Sequence, residues 1–286
     1  MTFVDLDWMA IALRSIVYLA TIAVAGSIFF RATLSNPEPL DAILGRQIVI
    51  GTLLLIFIEP IRYMWFEMQI AGGDPVLALS SSMRWMALEM PTGQAAAVRL
   101  LALCPLLAFG RRNTTLTLAC AVALVASYLL EGHTLSYGGS RALVAIILFV
   151  HLALAHWWLA SLLPLASATK SFSNAQVLDL VEGFSRLAIP AVGVLFVAGA
   201  VLLALFVHGT LETQSAYQRA FALKLSAFIA IFTVAAVNRL IWMPRIVRGH
   251  PQGLRSLRRA IAVECTVAAV ILGATALATS FSPSDV

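Results

Sequence analysis

Two histidines, His151 and His156, lie five residues apart in one long apolar segment of the chain. Imidazole binds transition metals such as copper, zinc and iron, and an ionisable side chain in such a segment usually marks a site. On a helix this spacing puts the two rings about 140° apart, so they do not share a face. His151, about 15 Å along the segment from Arg141, is therefore the stronger candidate metal ligand, and His156 the weaker.

A second kind of soft ligand is concentrated between residues 63 and 92, which contain five of the eight methionines. Met64 and Met68 are four residues apart and share a face if this segment is helical. Trp65 and Trp85 lie beside the methionines, so one interpretation is a set of interfacial helices in the lipid headgroups. The other is a thioether-rich entrance for Cu(I), with Met64 and Met68 as ligands.

Charged residues also fall inside apolar segments, and their positions predict partners. Arg14, Glu59, Arg99 and Glu131 all map to the same half of the membrane. Since an unpaired buried charge is costly, we expect Arg14 and Arg99 to pair with Glu59 or Glu131. In the opposite half, the plain structural expectation is a pair between Arg239 and Glu264. His133 follows Glu131 in the tripeptide Glu131-Gly132-His133 and offers a further imidazole near the membrane surface.

The elements that position these residues follow from composition. Hydrophobic residues make up 60% of the 286 residues and charged residues only 12%. This balance excludes a soluble enzyme and predicts an all-α integral membrane protein, because helices satisfy their own backbone in lipid. Eight runs are long enough to span the hydrocarbon core. They are Trp8–Arg31, Ile43–Arg62, Ala95–Gly110, Thr114–Leu130, Arg141–Leu165, Ser185–Val207, Ala220–Trp242 and Ala260–Phe281.

The charge of the connections predicts orientation. Lys and Arg total 19 against 14 Asp and Glu, and we interpret this excess as loop charge rather than as nucleic-acid binding. The odd-numbered connections are the basic ones, above all residues 245–259, and should be cytoplasmic. Both termini and the Met-rich loop 63–92 are then periplasmic. We expect one polytopic domain, residues 1–286, in a bacterial inner membrane.

Three stretches together resemble the copper resistance protein D (CopD) family. They are Glu131-Gly132-His133, the run HLALAHWWLASLLP from His151 to Pro164, and the stretch from Tyr217 to Pro283 that contains Asn238-Arg239 and Glu264. The resemblance covers most of the chain and is strongest over 131–283. The family usually has two glycines after the tryptophan that lies seven residues beyond the histidine, here Trp158. This chain has Ala160 and Ser161 at those positions.

The resemblance implies copper transport from periplasm to cytoplasm, beside a separate periplasmic partner of the CopC type. By position it favours His133 and His151 as copper ligands. Two alternatives stay open: a membrane haem b oxidoreductase that uses intramembrane histidines, and a copper-binding sensor or scaffold that transports nothing. The leading hypothesis is a copper transporter that binds Cu(I) and is not an enzyme.

Overall fold

The computed structural model describes residues 7–34, 37–109, 113–131, 139–206, 216–250 and 252–279. Within these ranges the chain is helical and contains no strand, so the predicted all-α class is confirmed. The helices are α1 (Trp8–Thr33), α2 (Glu38–Ile70), α3 (Pro75–Ala78), α4 (Ser81–Glu89), α5 (Pro91–Phe109), α6 (Thr114–Leu130), α7 (Arg141–Ser171), α8 (Asn174–Phe206), α9 (Ala216–Val237, continued by Asn238–Trp242 and Met243–Val247) and α10 (Gly253–Ala278).

Seven helices in the described ranges are long and apolar enough to cross a membrane: α1, α2, α5, α7, α8, α9 and α10. The shorter apolar helix α6 packs against α5 and ends in a 3₁₀ turn at Leu130. The protein is therefore a multi-pass membrane protein, whereas the count of eight spans and the side that each terminus faces stay predictions.

Contacts between helix ends show that α1 and α7 run in the opposite direction to α2 and α10. At one end, Arg14 near the start of α1 donates to Thr279 at the end of α10. At the other end, Arg31 of α1 is ion-paired with Asp41 at the start of α2. At this second end, Arg258 of α10 donates to Thr169 near the end of α7. We name the first end, where Arg14 and Thr279 lie, the Met-rich end. We name the second, where Arg31, Asp41, Thr169 and Arg258 lie, the arginine-rich end.

Two hydrophobic cores share helices α1, α2 and α7. The N-terminal core is built from α1, α2, α5 and α6, with Phe149 and Leu152 of α7 packed against it. The C-terminal core is built from α7 to α10 and includes Phe30 near the end of α1 and Leu40 and Leu44 near the start of α2. Trp157 of α7 lies in this second core, where it stacks on Phe184 and its indole N–H donates to Thr33. Helix α7 thus contributes residues to both cores.

Helix α1 contains a π-helical segment, Ile22–Gly26, at its crossing with α7. A Cβ atom at Gly26 would lie 2.1 Å from the carbonyl oxygen of His156 and 2.6 Å from the Cβ of Ala160. Only glycine permits this approach, since such distances are far inside van der Waals contact. Ala160 is small enough to remain at the interface.

Helix α2 is longer than the sequence predicted. Residues 63–70, assigned above to the Met-rich loop, instead form the last two turns of α2, so the connection to α5 narrows to 71–90. Asp7 links these turns to the start of α1, because its carboxylate accepts from the Ala10 amide at 2.9 Å, the Trp65 indole at 2.8 Å and the Gln69 side chain. These polar contacts of Asp7 therefore hold the last two turns of α2, which lie beyond the apolar part of that helix.

Candidate functional site

A buried cluster of four charges joins α2, α5 and the end of α6. Arg99 donates from Nη1 to Glu59 at 2.7 Å and from Nη2 to Glu131 at 2.8 Å. Arg62 bridges the same two carboxylates, with Nη2 2.8 Å from each. Glu59 and Arg99 are fully buried. The two arginines and two glutamates compensate one another, which is the condition under which buried charges are tolerated.

The sequence predicted the part that Arg99 plays in this cluster and missed Arg62. The predicted span ends at Arg62, but α2 continues for two more turns, so Arg62 is helical and shares a face with Glu59 three residues before it. The expected pairing of Arg14 with Glu59 or Glu131 is wrong. Arg14 donates instead to Thr279 of α10, and the cations of the cluster are Arg62 and Arg99.

Glu131 follows the last turn of α6 and lies outside the span. Burial alone raises the pKa of its carboxyl, but Arg99 and then Arg62 outweigh burial and hold that pKa below its usual range. The carboxylate is therefore charged at neutral pH and secures the end of α6 to α2 and α5.

Tyr128 connects the charge cluster to residues in the interior of the helix bundle. The Arg99 guanidinium lies over its ring, 4.6 Å from the centroid, in cation–π geometry. Its hydroxyl donates to Thr21 of α1 at 2.9 Å. The far side of the ring approaches the imidazole of His156, with 6.0 Å between centroids. A continuous line of polar and aromatic groups thus runs from the charges to α7.

His156 is the more buried of the two intramembrane histidines, with 5% of its surface exposed. Its Nδ1 lies 2.7 Å from the carbonyl oxygen of Leu152, so it must carry the proton and donate. Nε2 has no partner among the described residues. This is the tautomer found in metal-ligating histidines.

His151 faces a different helix, as the five-residue spacing predicts. Its Nδ1 donates to the carbonyl oxygen of Leu195 in α8 at 3.1 Å. The ring lies against Gly199, where an added Cβ would come within 3.1 Å of its Cε1. Because Nδ1 is used in this way, Nε2 is the nitrogen that faces away from the backbone and can bind a metal.

The methionines of 63–92 are spread over two helices and their ends. A cavity of about 660 Å³ opens between α2, α4 and α5, lined among others by Met64, Glu67, Arg84 and Trp85. The other four methionines, including Met68, are not among its lining residues. The cavity therefore offers one thioether rather than a multi-thioether site.

Glu67 is a buried residue of this cavity that the sequence analysis missed. It is 3% exposed, it interacts with Tyr63 one turn earlier, and its Oε1 has no hydrogen-bond partner in the described part of the chain. The sequence signal that could have identified Glu67 is its spacing, because on a helix it shares a face with Met64 three residues before it.

Among the described residues, no group of three or more His, Cys, Asp and Glu side chains is placed to hold a metal ion. His133 lies outside the described residues, so its place near the Met-rich end stays a prediction.

The predicted pair between Arg239 and Glu264 is wrong. A π-helical segment, Asn238–Trp242, interrupts α9, and it turns Asn238 inward and Arg239 outward. Asn238 Nδ2 donates to Glu264 Oε1 at 2.6 Å, and Glu264 is 4% exposed. The buried carboxyl thus has an amide partner where a cation was expected.

These features define a multi-pass helical membrane protein with ionisable groups inside its bundle. Residues 5–143 match the family model described as copper resistance protein D-like, N-terminal domain, and residues 178–278 match the model described as copper resistance protein D. The chain belongs to the copper resistance protein D family and is a membrane protein related to copper resistance. Searches of curated proteins and of solved structures gave no significant match.

Proposed function

We propose that this protein carries copper ions across a bacterial inner membrane, from the periplasm to the cytoplasm, and that it is a transporter rather than an enzyme. The observation that carries the proposal is the match to both family models along a bundle of membrane-length helices. Copper is the substrate, and Cu(I) is the favoured form because the available ligands are thioether and imidazole.

The proposed route descends from the Met-rich end. Met64, exposed at the cavity between α2 and α5, and Met68 one turn later capture the ion. His133 accepts it near the membrane surface, and His151 holds it near the membrane midplane. The hydrogen bond of His151 Nδ1 to the Leu195 carbonyl supports this role, because it leaves Nε2 as the nitrogen that can bind a metal. Each site has few ligands, since an ion in transit must leave as readily as it enters.

Uptake of Cu(I) into proteoliposomes tests the mid-span site. His151→Ala should abolish uptake while copper binding at the surface is partly retained, because only the deeper ligand is removed. His250→Ala is the matched control, since His250 is exposed in the turn before α10. If His133→Ala and His151→Ala both keep wild-type copper stoichiometry and uptake, the histidine route is wrong.

The capture step has its own test. The double variant Met64→Leu with Met68→Leu should weaken uptake at low copper and spare it at high copper, because leucine keeps the volume and removes the thioether. Met9→Leu, an exposed methionine at the start of α1, is the matched control. Equal uptake by both variants at low copper would remove the methionines from the route.

An absorption spectrum and metal analysis of the purified protein distinguish the alternatives. A haem spectrum would replace copper transport by a membrane oxidoreductase in which histidines of different spans, His133 and His151, bind the haem iron. Bound copper without flux would indicate a sensor or scaffold. A separate periplasmic copper-binding protein of the CopC type is the proposed donor, and faster uptake from copper-loaded donor than from free copper would support that partner.

A further inference from the structure

Glu264 is a carboxyl buried inside a membrane-length helix, and it has no ion-pair partner in the described part of the chain. Its hydrogen bond comes from the amide of Asn238, in the π-helical segment of α9. Ionisable residues in such positions are rare, and in transporters they serve as proton or ion carriers. The buried charge cluster at the Met-rich end contrasts with it, because each carboxylate there has two cations.

The surroundings of Glu264 explain why it is left without a cation. Helices α1, α7 and α9 pack against α10. Arg258, two turns earlier on α10, donates to Thr169 of α7, while Arg239 lies on the exposed face of α9. The other titratable or charged groups on these four helices likewise form no ion pair with Glu264. They are Arg14, Tyr18, Arg31, Arg141, His151, His156, Lys170, Arg219, Lys224, Arg245, Arg255, Arg259 and the neighbouring Cys265.

The partner amide suits a group that changes its protonation state. An ion pair holds a carboxylate in its charged form, whereas an amide can stabilise either form. Asn238 donates from Nδ2 to the carboxylate, and its Oδ1 has no partner in the described region. Rotation of the amide by a half turn presents Oδ1 to the O–H of the protonated acid. The π-helical segment is a local break in the helix of the kind often found at functional sites.

We propose that Glu264 and Asn238 form a proton-binding site that couples proton movement to copper transport, an inference that rests on the proposed function. In each cycle the Glu264 carboxylate takes a proton from water on one side of the membrane and returns it to water on the other. No bond other than the O–H bond forms or breaks. The site lies five residues, or roughly 7.5 Å, deeper than Arg259, within reach of the arginine-rich end.

Proteoliposomes that contain a pH-sensitive dye test the coupling. Addition of Cu(I) to vesicles with the wild-type protein should change the internal pH, and Glu264→Gln should abolish that change. Glutamine keeps the shape and can still accept from Asn238, so the variant should fold. Glu182→Gln, an exposed carboxyl on α8, is the matched control and should behave as wild type.

The outcomes separate the two proposals. Copper uptake by the wild type without a pH change would overturn the coupling and leave transport intact. Copper-driven proton movement that persists in Glu264→Gln would overturn the assignment to this residue. An absence of copper uptake by the wild type would overturn the proposed function.

Infrared spectroscopy of the protein in detergent tests whether Glu264 exchanges a proton, and it needs no transport assay. The wild type should show a pH-dependent band from the carbonyl stretch of a protonated carboxylic acid. Glu264→Gln should lose this band and Glu182→Gln should retain it. Asn238→Leu should shift the frequency of this band, because Glu264 loses its hydrogen bond from the Asn238 amide. Identical spectra for wild type and Glu264→Gln would show that Glu264 does not exchange a proton and would overturn the proposal.

Discussion

At the scale of single residues, the sequence predicted which side chains need partners but not always which partners they find. Depth along a span correctly grouped Glu59, Arg99 and Glu131. It failed for Arg239, because neighbours on a helix point about 100° apart and the π-helical segment decides which one faces inward. It also missed Arg62, because hydropathy alone ended the helix there.

The charge cluster predicts a large effect of Glu59→Gln on stability. Glu59 Oε1 accepts from both Arg62 and Arg99, and the change leaves two buried cations with one carboxylate. We expect a loss of about 3–5 kcal/mol, as for other broken buried pairs. Thermal unfolding in detergent measures it. Glu182→Gln, at an exposed position, should stay within about 0.5 kcal/mol of wild type, and equal stability of the two variants would contradict the network.

The lowered pKa of Glu131 predicts how stability depends on pH. A carboxyl whose pKa falls on folding stabilises the protein above its unfolded value of about 4.3 and loses that contribution as pH falls through the folded value. Unfolding in detergent should therefore show a difference between wild type and Glu131→Gln that is constant at neutral pH and shrinks below about pH 4.3. A difference that grows on acidification would mean that the pKa is raised instead.

At the scale of elements, hydropathy located each spanning segment but underestimated several lengths. Helix α2 has 33 residues, or about 50 Å, against about 30 Å of hydrocarbon. Its extension depends on Asp7, Trp65 and Gln69, which are polar or interfacial contacts that an apolar pattern does not contain. Helix α8 likewise begins at Asn174 rather than at Ser185, since its first turns carry Asp179 and Glu182.

The crossing of α1 and α7 predicts opposite outcomes for two glycines. Gly26→Ala forces its Cβ against the His156 carbonyl and the Ala160 side chain, so the helices must separate. We expect a loss of about 1–3 kcal/mol, typical of overpacked interiors. Gly193→Ala on α8 meets no atom within 4 Å and should be neutral or stabilise by about 0.5–1 kcal/mol. Unfolding in detergent compares them, and a harmless Gly26→Ala would argue against the close crossing.

At the scale of the whole molecule, the end-to-end alternation of the helices agrees with the charge pattern. The arginine-rich end gathers Arg31, Arg258 and the turn around Arg248, which is the distribution expected of a cytoplasmic face. The structure contains no membrane, so loop charge alone carries the orientation.

Fusion of a reporter at Val286 tests that orientation. With eight spans, a periplasmic reporter such as an exported phosphatase should be active there, because an even number of crossings returns the chain to its starting side. A reporter inserted at Gly249 should give the opposite result. A cytoplasmic reading at Val286 would invert the bundle, and with it the proposed direction of copper movement.

The sharing of α7 between the two cores has a consequence for how the halves of the protein act on each other. One family model ends at residue 143, just inside the start of α7, and the other begins at residue 178, beyond its end, as if the chain had two modules. Yet Leu152 packs into the first core and Trp157, less than two turns later, into the second. A tilt of α7 would therefore displace residues of both cores together. The helix that carries the proposed copper ligand His151 also packs against α10, where Glu264 lies, so the two proposed sites share one mechanical support.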